Sequence, residues 1–228
     1  PVIIKAAAGG GGIGMQIVEE ESQFASALKL CMSRAKSAFG DERVFVEKYI
    51  QGAQHVEFQV LADGINAIHF GERFCSIQRR HQKLVEEGPW LTDEKRAEIG
   101  DLVCRGAESV GYKGLATFEF LRDSNGDFYF LEVNPRVQVE HTVTELMTGY
   151  NLVELGIRVA QGESLPIKQE DINWRGHAIQ CRLNAEDPKE FIPSPGKLWD
   201  CHFPSGYGIR CDTHAHPGYE MPVSYTHL

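Results

Sequence analysis

Residues 128–140 read FYFLEVNPRVQVE, and the rest of the chain is organised around this stretch. As an extended segment it places Tyr129, Leu131, Val133, Val137 and Val139 on one side and Glu132, Asn134, Arg136, Gln138 and Glu140 on the other. One side can pack a core while the other presents five polar groups in a row. Just upstream, LATFEFL sets Ala116, Phe118 and Phe120 opposite Thr117 and Glu119, and Asp123-Ser124-Asn125-Gly126 is a turn signal between the two runs. The pair reads as a hairpin that brings Glu119, Glu132 and Asn134 to one face. Neighbouring carboxylates repel and are costly to desolvate, so a positive group belongs among them. Oxygen-only ligands favour magnesium or manganese over zinc, held together with substrate phosphates. A solvated strand face would account for Glu119 and Glu132 alone, but it has no need of a proline beside the mixed polar chemistry of NPRVQVE.

The chain has 228 residues, of which 42% are hydrophobic, enough to bury a sizeable core in one or two domains. A formal net charge of -9 argues against general binding to nucleic acid or to anionic membranes, so any anion site must be made locally. Six cysteines (Cys31, Cys75, Cys104, Cys181, Cys201 and Cys211) show no CxxC pair, and no apolar run is long enough to span a bilayer or to serve as a signal sequence. The expectation is a reduced, cytoplasmic protein. The chain opens at Pro1 in the apolar run PVII, as though entering in mid-strand, and both ends read as cut.

From the amino end, Gly9, Gly11 and Gly14 match GxGxxG spacing, but Met15-Gln16-Ile17-Val18 alternates like a strand where a dinucleotide fold needs a helix. No GK[ST] ending follows either. The remaining reading is a strand-to-strand flap whose backbone N–H groups close over phosphates, with Lys5 as counter-charge. Ser22 is expected to cap a helix with apolar positions Phe24, Leu28, Cys31 and Ala35. VFVEKYI, residues 44–50, alternates as a strand. His55 to Val60 and Ala67 to Phe70 form a second hairpin about Ala62-Asp63-Gly64. Arg79-Arg80-His81-Gln82-Lys83 is the densest positive patch in the chain and suits phosphate or a small carboxylate such as bicarbonate. Thr92 is expected to cap a helix burying Ile99, Leu102, Val103, Gly106 and Val110. Two helices follow over 141–149 and 151–161. Residues 176–184 read as a strand setting Gln180 and Arg182 opposite Ile179, Cys181 and Leu183. His214 and His216 lack further ligands at metal-site spacing and read as loop histidines.

Taken together, the glycine flap, RRHQK and FLEVNPRVQVEH resemble biotin carboxylase, the ATP-grasp component of biotin-dependent carboxylases, from Pro1 to about Pro222. The resemblance implies an α/β (α+β) ATP-grasp fold with an antiparallel catalytic sheet, divided into a partial lid (1–49), a catalytic domain (50–165) and a partial biotin carboxylase C-terminal domain (166–222). It implies that Lys5, Gly11 and Gly12 hold ATP phosphates and that Glu47, Lys48, Tyr49 and Ile50 line the adenine pocket. His55, Gln78 and His81 would contact the ribose and phosphate region. Glu119 and Glu132, with Asn134, would hold Mg2+ or Mn2+ on the nucleotide. In this family bicarbonate attacks the γ-phosphate of ATP, and the resulting carboxyphosphate carboxylates biotin. Lys83, Arg136, Gln138 and the Val139 backbone would bind bicarbonate, Glu140 would be the base, and Arg182 would stabilise the oxygen of activated biotin.

The implied partners are a biotin carboxyl carrier protein or domain, a carboxyltransferase and, for the full-length form, a second copy in a homodimer; no nucleic acid or membrane is implied. The family carries a Rossmann-like domain before the flap that this sequence does not show. At the other end, VSYTHL (223–228) departs from the family and is expected to be non-native. The expectation is that this piece by itself is inactive. Two other readings stay open: another carboxylate-activating ATP-grasp ligase, and a non-catalytic ATP-binding fragment.

Overall fold

The computed structural model describes residues 1–8, 14–79 and 81–222. They form two compact units, Pro1–Cys181 and a smaller one from Arg182 onward. In the first unit, β1 (Val2–Ala6), β2 (Gln16–Val18) and β3 (Val44–Lys48) make a three-stranded antiparallel sheet in the order β2-β1-β3. Helix α1 (Glu21–Phe39) covers it, with Ile4, Val18, Ala27 and Cys31 as the shared core. The strand-to-strand flap is therefore present, although its glycine tip (9–13, with Gly11 and Gly12) lies outside the described residues. Ser22 is a correction. The helix starts two residues earlier than a Ser22 cap would place it, its N-cap is Glu20, and no side chain caps it.

The main sheet has six antiparallel strands in the order β8-β7-β4-β5-β6-β9: β4 (Gln54–Asp63), β5 (Ala67–Arg79), β6 (Gln82–Gly88), β7 (Lys113–Arg122), β8 (Phe128–Asn134) and β9 (Ala178–Cys181). Helix α2 (Asp93–Ser109) packs on one face through Val56, Phe58, Val60, Ile99, Val103, Ala107 and Phe120. Thr92 caps it as expected, its hydroxyl accepting from the Lys95 N–H at 3.3 Å. Leu102, Gly106 and Val110 are corrections: all three are exposed, because Arg96, Gly100 and Cys104 fill the inward positions instead. Helices α3 (His141–Thr148) and α4 (Leu152–Ala160) lie on the opposite face, where Leu61, Phe70, Leu152, Leu155 and Val159 form a second core. Both helices run where their sequence spacing puts them, and the Asn151 side chain caps α4.

The main sheet has four register shifts, two of them between β5 and β6, and the other two decide which way Glu132 and Arg73 face. Paired residues on neighbouring strands point the same way, and one extra residue on one strand reverses everything beyond it. Between β7 and β8 the pairing steps from Glu119↔Glu132 to Phe120↔Phe130, so Leu131 is an extra residue. Phe128 and Phe130 therefore join Phe120 ring to ring, at 6.1 and 5.9 Å, while Glu132 joins Glu119 on the other face. Between β4 and β5 the pairing steps from Val60↔His69 to Phe58↔Glu72, again with one extra residue. Gly71 sits there with φ +80, and a Cβ on it would lie 2.4 Å from Trp174 Nε1.

The alternation expected over the whole of 128–140 breaks first at Leu131, which sends Tyr129 and Val133 to opposite faces, and the strand itself ends at Asn134. Pro135 has no N–H to continue the ladder, and residues 135–140 turn back instead, with the Arg136 N–H donating to the Asn134 carbonyl at 2.9 Å and the His141 N–H to that of Gln138 at 3.1 Å. In this loop the polar side is the inner one: Gln138 and Glu140 are buried, and Val137 and Val139 are half exposed. The strand expected over 176–184 is likewise shorter, ending at Cys181. In the second unit β10 (Gly196–Lys197) pairs with β11 (Glu220–Met221). The tail 223–228 lies outside the described residues.

Candidate active site

The α3-bearing face of the main sheet is polar where the other face is apolar. On β4, His55, Glu57 and Gln59 alternate with Val56, Phe58 and Val60, so burying the apolar set against α2 turns the polar set toward α3. Glu119 and Thr117 stand beside them on β7, Arg73 on β5 and Lys83 on β6. Lys83 is the hub. Its ammonium donates to Glu119 Oε1 at 2.8 Å, to Glu140 Oε1 at 2.7 Å and to Glu57 Oε2. Burial opposes its charge, but Glu57, Glu140 and Glu119 outweigh that and raise its pKa above the ordinary lysine range.

Glu119 is the second hub. Its Oε1 also accepts from Asn134 Nδ2 at 2.9 Å and from Gln138 Nε2 at 3.0 Å, and His55 Nε2 lies 2.9 Å from its Oε2. Burial disfavours its ionised form, yet the close His55 ring and the charge of Lys83 hold its carboxyl well below the usual range. Gln78 Nε2 lies 2.7 Å from His55 Nδ1 and fixes that ring. Glu132 pairs directly across from Glu119 and has Asn134 Nδ2 at 3.4 Å. Arg136 is exposed at the rim, with Nη2 at 3.4 Å from Asn134 Oδ1.

The structure thus brings together His55, Gln78, Lys83, Glu119, Glu132, Asn134, Arg136, Gln138 and Glu140. Val139 lies in the same loop, between Gln138 and Glu140, Gly11 and Gly12 fall outside the described residues, and other nominated residues of the first unit stand elsewhere. His81 is an exposed residue at φ 65 in the turn joining β5 to β6. Because Arg79 pairs with Gln82 and Gln78 with Lys83, the basic run is a hairpin tip that directs Lys83 to the site face. Lys5 ion-pairs with Glu47 across β1 and β3, Lys48 lies 5.3 Å from the centre of the Tyr129 ring, and Tyr49 and Ile50 follow β3. Arg182 begins the second unit.

Sequence reading passed over Glu57, Gln59, Arg73, Thr117 and Thr144, all fully buried on the polar face. The signal for the first two was the His55-Glu57-Gln59 alternation; nothing comparable marks Thr144, which arrives from a distant helix.

Among the described residues, the groups that come within 4.8 Å of one another in metal-ligand fashion are His55, Glu57 and Glu119, and Glu57, Cys75 and Glu140. Neither suits a metal, because the Lys83 ammonium already neutralises their shared carboxylates, and burial raises the Cys75 thiol well above its ordinary pKa. Glu119, Glu132 and Asn134 also stand together on adjacent strands, with Glu132 open to solvent; here Lys83 meets Glu119 and Asn134 turns its Nδ2 toward both carboxylates, so a divalent ion there needs the Asn134 amide turned over and Glu119 shared with Lys83.

Residues 1–168 match the family described as "Carbamoyl-phosphate synthase L chain, ATP binding domain", and 180–228 match the "Biotin carboxylase C-terminal domain". A protein named biotin carboxylase from Allochromatium vinosum is 52% identical over 228 residues, covering 99% of this chain and 51% of its own length. A pyruvate carboxylase subunit from Methanothermobacter thermautotrophicus is 53% identical over 99% of the chain and 46% of its own. A crystal structure of the biotin carboxylase–beta-gamma-ATP complex from Campylobacter jejuni superposes with TM-score 0.94 at 48% identity, over 99% of this chain and 51% of that one. The biotin carboxylase domain dimer of Hydrogenobacter thermophilus 2-oxoglutarate carboxylase, solved with MgADP, ADP and bicarbonate, gives 0.95 at 47% identity, over 100% and 51%. The chain spans about half the length of these relatives. It belongs to the carbamoyl-phosphate synthase L chain ATP-binding family, an ATP-grasp family, and within it to the biotin carboxylases.

Proposed function

We propose that this protein carries out ATP-dependent carboxylation of biotin with bicarbonate, the first half-reaction of a biotin-dependent carboxylase. The observation that carries the reading is the position of Lys83 between two acid sets: Glu119, beside Glu132 and Asn134, on one side, and Glu140, at the end of the Arg136–Glu140 loop, on the other. A divalent ion held by Glu119, Glu132 and Asn134 would supply charge neutralisation on the ATP phosphates. Lys5 and the flap would close over those phosphates, and residues 47–50 would take the adenine. Lys83, Arg136, Gln138 and the Val139 backbone would orient bicarbonate, and Glu140 would accept its proton as the bicarbonate oxygen bonds to the γ-phosphorus and ADP leaves. Arg182 would then stabilise the ureido oxygen as the biotin nitrogen attacks the carboxyl carbon, the carbon–oxygen bond to phosphate breaks and the departing phosphate takes the proton from that nitrogen.

The relative from Hydrogenobacter thermophilus was solved with both ADP and bicarbonate, which supports the same pairing of ligands here. A biotin carrier and a carboxyltransferase complete such a reaction, and self-association into a homodimer fits the dimeric domain of that relative. All six cysteines are free, in keeping with a reducing compartment such as the cytosol. The test is ATP hydrolysis by the purified protein in its full-length form. Hydrolysis should require bicarbonate and rise with added free biotin; indifference to biotin would point to a different carboxylate-activating ligase.

A further inference from the structure

Arg73 is completely buried and stands directly across from Glu57 on neighbouring strands. All of its polar contacts are interior. Nε donates to Glu57 Oε1 at 2.6 Å, Nη1 to Gln59 Oε1 at 2.9 Å and to Thr144 Oγ1 at 2.8 Å, and Nη2 to Thr117 Oγ1 at 3.4 Å. One planar fork therefore ties β4, β7 and α3 to β5. Each bond reaches a group one step removed from the proposed chemistry. Glu57 presents its other oxygen to Lys83, and Thr144 lies one helical turn past Glu140, in the helix that Glu140 opens. The expensive burial of a guanidinium is offset here by a full set of acceptors, and a lysine could not reproduce the fork. Its placement depends on the extra residue at Gly71: continued alternation from His69 would have aimed residue 73 at α2.

We propose that Arg73 is a positioning residue for bicarbonate activation, which holds the Glu57–Lys83 pair and the Glu140 end of α3 in mutual register without touching substrate. The inference rests on the proposed function for its kinetic part and on geometry alone for its structural part. None of the nucleotide-side residues Lys5, Glu47, Lys48, Glu119 and Glu132 is among its direct partners, and Glu119 is reached only through Lys83.

The test uses the full protein and two variants, Thr144→Val, which removes one bond at constant shape, and Arg73→Lys, which keeps the charge and loses the fork. Three quantities are read: bicarbonate-dependent kcat, MgADP affinity, and hydrogen exchange of the α3 amides. Both variants should lower kcat about tenfold or more, as misplacement of reacting groups does, with Arg73→Lys the more severe. MgADP affinity should stay within about twofold, and α3 amides should exchange faster than those of α2. Unchanged kcat and unchanged α3 exchange in folded Thr144→Val would overturn the proposal, as would a parallel loss of MgADP affinity, the mark of a general scaffold residue. If Arg73→Lys does not fold, Thr144→Val decides. If the parent shows no bicarbonate-dependent hydrolysis, the functional reading fails, and α3 exchange alone judges whether Arg73 holds this register.

Discussion

Lys83 is the residue on which the site balances. Three carboxylates meet its ammonium, all of them buried, so the charge is a structural part of the fold as well as a candidate ligand. Lys83→Met, which keeps the volume and removes the charge, leaves Glu57, Glu119 and Glu140 facing one another. The expected loss is about 3–5 kcal/mol of unfolding free energy at pH 7, narrowing as the pH falls and the carboxylates take up protons. Urea denaturation at two pH values checks it, and a loss under about 1 kcal/mol would show that the carboxylates do not depend on the ammonium. Glu140 has a different role. Glu140→Gln keeps an acceptor for Lys83 and should leave nucleotide affinity unchanged while biotin carboxylation falls to background; retained carboxylation would assign the base elsewhere. At this scale the sequence made the acids of the hairpin and Lys83 visible, because each sits in a run of unusual polar density. It hid Glu57 and Arg73, which look like ordinary strand charges until a bulge and a helix enclose them.

Among the elements, the register shifts at Leu131 and Gly71 carry most of the specificity. Gly71 takes a left-handed conformation where Trp174 leaves no room for a methyl group. Gly71→Ala should therefore cost roughly 2–4 kcal/mol, from backbone strain and the displaced indole together, and should loosen the Arg73 contacts; thermal unfolding of the variant reads the cost. His69, enclosed against α2, stacks 5.9 Å from the same Trp174. A Cβ at Gly100 would lie 2.3 Å from its Nε2. Burial holds its pKa down from 6.5 to about 4, against the pull of Asp101 and Glu72 and with that of Arg96. Above pH 6.5 both folded and unfolded chains are neutral there, and the stability is complete. Between 6.5 and about 4 the unfolded chain binds a proton that the folded one does not, so stability falls by about 3 kcal/mol. His69→Asn should flatten that part of the stability-versus-pH curve, whatever its own cost at neutral pH; an unchanged slope would place the titration on another group. Strand pairing and helix positions followed from alternation and spacing. Bulges did not, since a slip of one residue leaves the local pattern intact and changes only its partner. Residues 135–140 show the same limit. Their period of two was real, but with the ladder ended at Pro135 it no longer marked a strand, and the polar side turned inward.

Over the whole molecule, the legible part was the joining of two chemistries in one short stretch. Glu132 and Asn134 end a strand beside Glu119, and Gln138 and Glu140 follow on a loop anchored to the same two hubs. The flap sheet, the main sheet and the helices on both its faces were readable as a mixed α/β chain, and the ATP-grasp assignment came from motifs rather than periodicity. Among the described residues no helix is long and apolar enough to cross a membrane. The central claim is that phosphate activation on one side of Lys83 feeds carboxyl transfer on the other. The most direct measurement incubates the protein with labelled bicarbonate, magnesium-ATP and free biotin, and follows label into carboxybiotin alongside phosphate release. The account predicts label in carboxybiotin, dependent on both ATP and magnesium; ATP consumed in the presence of bicarbonate with no label in biotin would contradict it.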